Sequence, residues 1–185
     1  GNADAVPLEK APRIAVYSPP NSPPWDDAVT LALRYAGFPY TRVWDDEILG
    51  QDLSQYDWIH LFHEDFTGQL NKLYLSYRDA PWFIEQRERD LATARRHGYS
   101  TIPALKKAVA AKIRAFVDRG GFLFAMCGAT ETLELALASQ GVDIAAPYSD
   151  GTPIDPDADG KMEWANGLAI AKAHLEMAAG VNAMS

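Results

Sequence analysis

Short apolar runs alternate with amphipathic stretches along most of the chain, and the two patterns predict strands and helices in turn. RIAVYS (13–18) predicts a buried strand, closed by the proline-rich SPPNSPP. In DDAVTLALRYAG (26–37) apolar positions fall at helical spacing, with acids at the start and Gly37 placed to stop the helix. PYTRVW (39–44) and DWIHLFH (57–63) predict a second and a third strand. The third lacks the alternation that a solvated face imposes, as expected of a parallel sheet. IPALKKAVAAKIRAFVDRG (102–120) places Leu105, Val109, Ile113, Phe116 and Val117 on one side of a helix and Lys/Arg on the other. FLFAM (122–126) then predicts a fourth strand, TETLELALASQG (130–141) a helix and VDIAAPY (142–148) a further strand.

This order, β-α-β-β-(insertion)-α-β-α, predicts an α/β fold with a doubly wound, mostly parallel sheet of flavodoxin-like type. The insertion spans about 64–101: an aromatic-rich stretch without a period, then a charged helix near 82–97 ending at Gly98. It reads either as the wall of a pocket or as a surface excursion packing its aromatics on the body. Residues 1–12 are expected to be a mobile lead-in and 13–185 one domain.

Composition narrows the function classes. Of the 185 residues, 48% are hydrophobic and 23% charged, the balance of an ordinary globular protein. A net charge of −8 supplies no basic field, so nucleic acid is not an expected partner. No apolar run approaches the roughly 20 residues of a membrane helix, so no membrane is expected either. The start GNADAVPLEK, without Met, is the start expected of a trimmed terminus, and the compartment stays open between the cytoplasm and export after removal of a signal peptide.

The single cysteine, Cys127, ends the fourth strand and precedes Gly128-Ala129, the small followers that a nucleophile elbow needs. The N-terminus of the next helix would favour its thiolate, and the Gly128 N–H would serve as oxyanion donor. The competing reading is a small buried hydrophobe.

YDWIHLFHEDFTG and IRAFVDRGGFLFAMCGATETLELA resemble the class I glutamine amidotransferase-like superfamily over roughly residues 12–145. More narrowly, PPNSPPWDDAVTLAL, FHEDFTGQ, SYRDAPW, GGFLFAMC and PIDPDADGK are similar to a bacterial family often labelled asparagine synthetase B. The resemblance implies Cys127 as nucleophile and a catalytic His-x-Glu after it, which His174-Leu175-Glu176 matches in letters and order. It also implies further strands after the elbow helix, so the C-terminal part is expected to be incomplete. Asparagine synthesis itself is not expected, because the chain starts with Gly1, lacks a cysteine near its start and shows no phosphate-binding glycine loop.

Read as a helix, AIAKAHLEMAAG makes His174 a solvated residue. His63 ends the third strand beside the fourth and is the expected base, with its acidic neighbours Glu64 and Asp65 placed to orient or charge it, and His174 with Glu176 is the alternative. It reads equally as a polar loop residue, His60 as a packed core histidine and His97 as a helix-capping charge. Asp155, Asp157, Asp159 and Gly160 begin like a calcium loop, but Asn166 stands where a bidentate Glu belongs, so an Asp-rich turn needing no metal is expected and no cofactor is assigned.

Two functions follow. One is a thiol-dependent hydrolase or amidotransferase acting on an amide or ester through Cys127, Gly128 and His63. The other is a binding domain for a small molecule such as a sugar, with Trp25, Trp44, Phe66, Tyr74, Tyr77, Arg78 and Trp82 lining the crevice.

Overall fold

The computed structural model describes residues 10–20, 28–69 and 76–176. Four parallel strands form one sheet: β1 (Ile14–Tyr17), β2 (Tyr40–Val43), β3 (Trp58–Leu61) and β4 (Phe122–Ala125), in the order β2-β1-β3-β4. Ile14 pairs with both Tyr40 and Trp58, and Trp58 pairs with Phe122, so the strand starts are level across the sheet. The order reverses between β1 and β3, giving a flavodoxin-like doubly wound α/β fold whose switch point lies at the ends of those strands.

Helix α1 (Ala28–Tyr35) follows β1 and stops at Gly37, whose φ of 74° suits glycine. A short helix, α2 (Asp45–Gly50), and a 3₁₀ turn at Leu53–Gln55 carry the chain from β2 to β3. Sequence periodicity placed no element there. Two parallel strands nevertheless need a crossover, and six helical residues are too few to show a period. The insertion contributes α3 (Pro81–Arg96), followed by α4 (Ile102–Asp118), which Thr101 caps by accepting the Ala104 N–H at 3.2 Å. After β4 come α5 (Gly128–Ala138), α6 (Pro147–Asp150) and α7 (Ala158–Lys161).

Side chains alternate across the sheet. Ala15, Tyr17, Val43, Ile59 and Leu61 face a core closed by Ile48 of α2, Val109, Ile113 and Phe116 of α4, and Leu133, Ala136 and Leu137 of α5. A second cluster joins Leu135 and Ala138, late in α5, to Val142, Ile144, Ala158, Met162 and Leu175.

Two expected elements do not form. VDIAAPY forms no strand: its last two residues open α6, and before them Asp143 N bonds Asp155 Oδ2, Ala145 N bonds Asp143 Oδ1 and Ala146 N bonds Gln69 Oε1. Residues 169–176 are likewise not helical. The Glu134 carboxylate accepts the N–H groups of Leu168 and Ala169, and Asp159 accepts that of Leu175, which diverts them from helical acceptors. Trp25, Asp26, Asp27, Tyr74 and the lead-in as far as residue 9 lie outside the described residues. Among the described residues no helix is long and apolar enough to cross a membrane.

Candidate functional site

β4 runs out at Ala125, and the Met126 N–H still bonds Leu61 O of the neighbouring strand at 3.2 Å. The chain then reverses at Cys127, with φ 53° and ψ −138°, and α5 starts at Gly128. A non-glycine residue at such a positive φ carries on the order of 1–3 kcal/mol of strain, held in place by its surroundings. Those surroundings are specific. The Ala129 N–H bonds Phe62 O at 3.4 Å, while Thr130 returns both its N–H (3.3 Å) and its hydroxyl (2.7 Å) to Cys127 O. Ala129 is fully buried, whereas Cys127 is exposed. The sulfur therefore stands at the surface on a sharp strand-to-helix turn, which is the geometry of an elbow and not of core packing. Among the described residues the Gly128 N–H meets no acceptor. It belongs to the helix N-terminal set that lacks intrahelical partners.

The four histidines separate clearly. A Cβ built on Gly128 would lie 3.5 Å from His63 O and 4.0 Å from His63 Cα, so His63 is beside the elbow. Its side chain is exposed, its ring edge-on to Phe62 at 4.5 Å, and no hydrogen bond joins it to the sulfur among the described residues. His60 is fully buried and stacks on Phe124 at 5.6 Å. His97 caps α3 and meets Asp46 Oδ1 at 2.8 Å. His174, exposed, meets Asp159 at 3.1 Å, and its neighbour Leu175 packs with Leu135 and Ala138. Cys127 caps the other end of α5, about 12 Å or more away along the axis. The structure packs the His63 backbone against Gly128, the residue after Cys127, and leaves His174 and Glu176 at the far end of the helix.

The loop after β3 explains the HEDFTGQ signature. Glu64 is buried, accepts the Phe62 N–H at 2.8 Å and receives Thr132 Oγ1 on its carbonyl at 2.7 Å, so it ties the His63 loop to α5. Asp65 caps Thr67 N at 2.8 Å, and Gln69 reaches Ala146 N. Gly68, at φ 72°, passes so close to α4 that a Cβ would sit 2.6 Å from Pro103 N. Phe66, expected to line the crevice, is fully buried and stacks on Tyr17 at 5.2 Å, so it walls no open pocket.

Below this loop lies a buried polar cluster that sequence reasoning missed. Lys106 Nζ donates to Asp45 Oδ1 (2.9 Å), Asp45 Oδ2 (2.8 Å) and Tyr17 Oη (2.9 Å), while the Tyr17 hydroxyl also bonds Asp45. Trp44 stacks on Tyr17 at 4.3 Å and places its ring centroid 4.0 Å from Nζ. Burial, then the Asp45 charge, pushes the Tyr17 hydroxyl well above its ordinary range. Grouping every Lys and Arg of this helix on one side puts Lys106 on the cationic face. Its spacing, four after Ile102 and three before Val109, puts it on the apolar stripe instead, and that was the available signal.

The remaining aromatics are peripheral. Tyr77 and Trp82 are each nearly half exposed with ring centroids 5.3 Å apart, and the neighbouring Arg78 pairs with Asp79 at 3.5 Å. The acidic loop does not converge. Asp155 accepts from Asp143 N and lies 3.8 Å from Lys161, Asp157 takes a left-handed turn at the start of α7, and Asp159 goes to Leu175 and His174. Among the described residues no three His, Cys, Asp or Glu side chains are grouped to hold a metal. A shallow groove of about 920 Å³ runs along the outside of α4, lined by Ala104, Ala108, Ala111, Lys107 and Asp143 among others. It does not include Cys127 or the strand ends.

Compared with protein-family models, with curated proteins and with solved structures, the chain matches none.

Proposed function

We propose that the chain is a thiol-dependent acyl-transfer enzyme of the class I amidotransferase-like kind, a hydrolase or amidotransferase acting on an amide or ester. The observation that carries this reading is the exposed Cys127 held at φ 53° between a strand end and a helix start. Packing alone gives no reason to store strain at an exposed sulfur.

The chemistry runs as follows. His63, after rotating toward the elbow, takes the Cys127 proton, and the sulfur forms a bond to the carbonyl carbon. The developing oxyanion faces the Gly128 N–H at the start of α5. Collapse breaks the C–N or C–O bond, and His63 returns the proton to the leaving amine or alcohol. Water, or an amine acceptor, then attacks the thioester with His63 again as base, releasing the acid or new amide and restoring the thiol.

The test is a stopped-flow assay with p-nitrophenyl acetate and peptide mass spectrometry of the quenched protein. A stoichiometric burst with the acetyl group on Cys127, absent from Cys127→Ala and slowed in His63→Ala, supports the reading. A burst that survives Cys127→Ala, or no acylation of this sulfur, overturns it.

The exposed Tyr77–Trp82 pair favours a second reading, a domain that binds a small ligand such as a sugar through a ring platform. Titrating monosaccharides while following tryptophan fluorescence separates the two, because Trp82→Ala would abolish that signal and leave acylation intact.

A further inference from the structure

The inner face of α3 is formed by Phe83, Asp90, Thr93 and Ala94, all buried. Asp90 is only 3% exposed, within electrostatic reach of the Lys106–Asp45–Tyr17 cluster. The Trp44 side chain hydrogen-bonds the Asp90 carboxyl, which favours the ionised form, and the charges of Asp45 and Lys106 and the Tyr17 hydroxyl lie within electrostatic reach. Arg89, on its own helix, is turned to Glu85 at 2.9 Å. Glu64, also buried, acts on the same Tyr17.

An ammonium has three donors, and those of Lys106 already go to both Asp45 oxygens and the Tyr17 hydroxyl. Asp90 is therefore a second buried carboxyl that receives no hydrogen bond from Lys106 and has Trp44 as its side-chain donor. Ionised, it adds a negative charge in a nearly dry site beside Asp45. Protonated, it fits without that cost.

We propose that the insertion helix α3 is a proton-sensitive clamp, seated on the body when Asp90 is neutral and loosened when Asp90 ionises. Burial, opposed by Lys106 and reinforced by Asp45, pushes this carboxyl up to about 6, which places the change near neutral pH. The signal has a route to the elbow, since Tyr17 stacks on Phe66 three residues after His63. The inference concerns the seating of α3 and does not depend on the chemistry assigned to Cys127.

The experiment is amide hydrogen exchange of the full chain from pH 5 to 8, corrected for intrinsic exchange, reading peptides of α3 against those of α4 and α5. Protection of α3 is expected to fall about tenfold across this range while α4 and α5 keep theirs. Asp90→Asn should keep α3 protected throughout. His97, which contacts Asp46 at the end of the same helix, is a second titratable contact that this variant leaves in place. A pH response retained in Asp90→Asn, a flat profile in the unmodified chain, or a parallel loss in α4 and α5 would each overturn the proposal. If Asp90→Asn does not fold, Asp90→Ser takes its place.

Discussion

The His63 carbonyl oxygen stands 3.5 Å from the point where a side chain on Gly128 would begin, so the loop after β3 and the elbow after β4 pack backbone to backbone. That distance is an ordinary contact, and Gly128 opens a helix without a positive φ. Gly128→Ala is therefore expected to fold with stability within about 1 kcal/mol of the parent and to keep the Cys127 alkylation rate. Urea unfolding and a thiol assay check this. A collapse of either would mean that the elbow and the His63 loop are packed more tightly than these distances describe.

The backbone at Cys127 suits glycine better than any side chain. Cys127→Ala removes the sulfur but keeps the strain, whereas Cys127→Gly removes both. The glycine variant should be the more stable of the two by about 1–2 kcal/mol in urea unfolding. Equal stabilities would show that the turn is not strained.

Lys106 and Asp45 are both buried, 6% and 0% exposed by side chain. Lys106→Met leaves the Asp45 carboxylate without its cation and should destabilise by about 3–5 kcal/mol. Adding Asp45→Asn to Lys106→Met should recover part of that loss. Additive losses in a double-mutant cycle would argue against a coupled pair.

The folded Asp90 carboxyl titrates at about 6, above the ordinary 3.8. A raised carboxyl gives its relative stabilisation fully below the ordinary value and loses it as pH rises through the folded one. Asp90→Asn should therefore be more stable than the parent above about pH 6, by up to about 3 kcal/mol, and the gain should shrink toward pH 4. Chemical denaturation at the two ends of that window measures it.

Much of the fold was legible in the chain because its strands are short apolar runs and α4 has a clear stripe. Gly37 and Gly98 stand where expected, each at a positive φ just beyond a helix. The elbow was legible because Met-Cys-Gly-Ala after an apolar strand has few structural meanings. What was hidden depends on contacts distant in sequence. No local pattern tells that Glu134 will take the N–H groups of Leu168 and Ala169, or that Asp159 will take that of Leu175, and these bonds replace the expected helix around His174. Phe66 is expected to line the crevice, and its neighbours in the sequence are polar. Their polar groups, however, are used in closing the loop that buries it.

The central claim, that Cys127 is a reactive sulfur served by His63, is tested most directly by the rate of iodoacetamide alkylation of the folded chain. The reference is an unstructured peptide containing the same cysteine, measured across the same pH range. The account predicts that the folded sulfur reacts faster than the peptide near neutral pH, and that His63→Ala brings the rate down toward the peptide's. A folded sulfur no faster than the peptide, or a rate indifferent to His63→Ala, would contradict it.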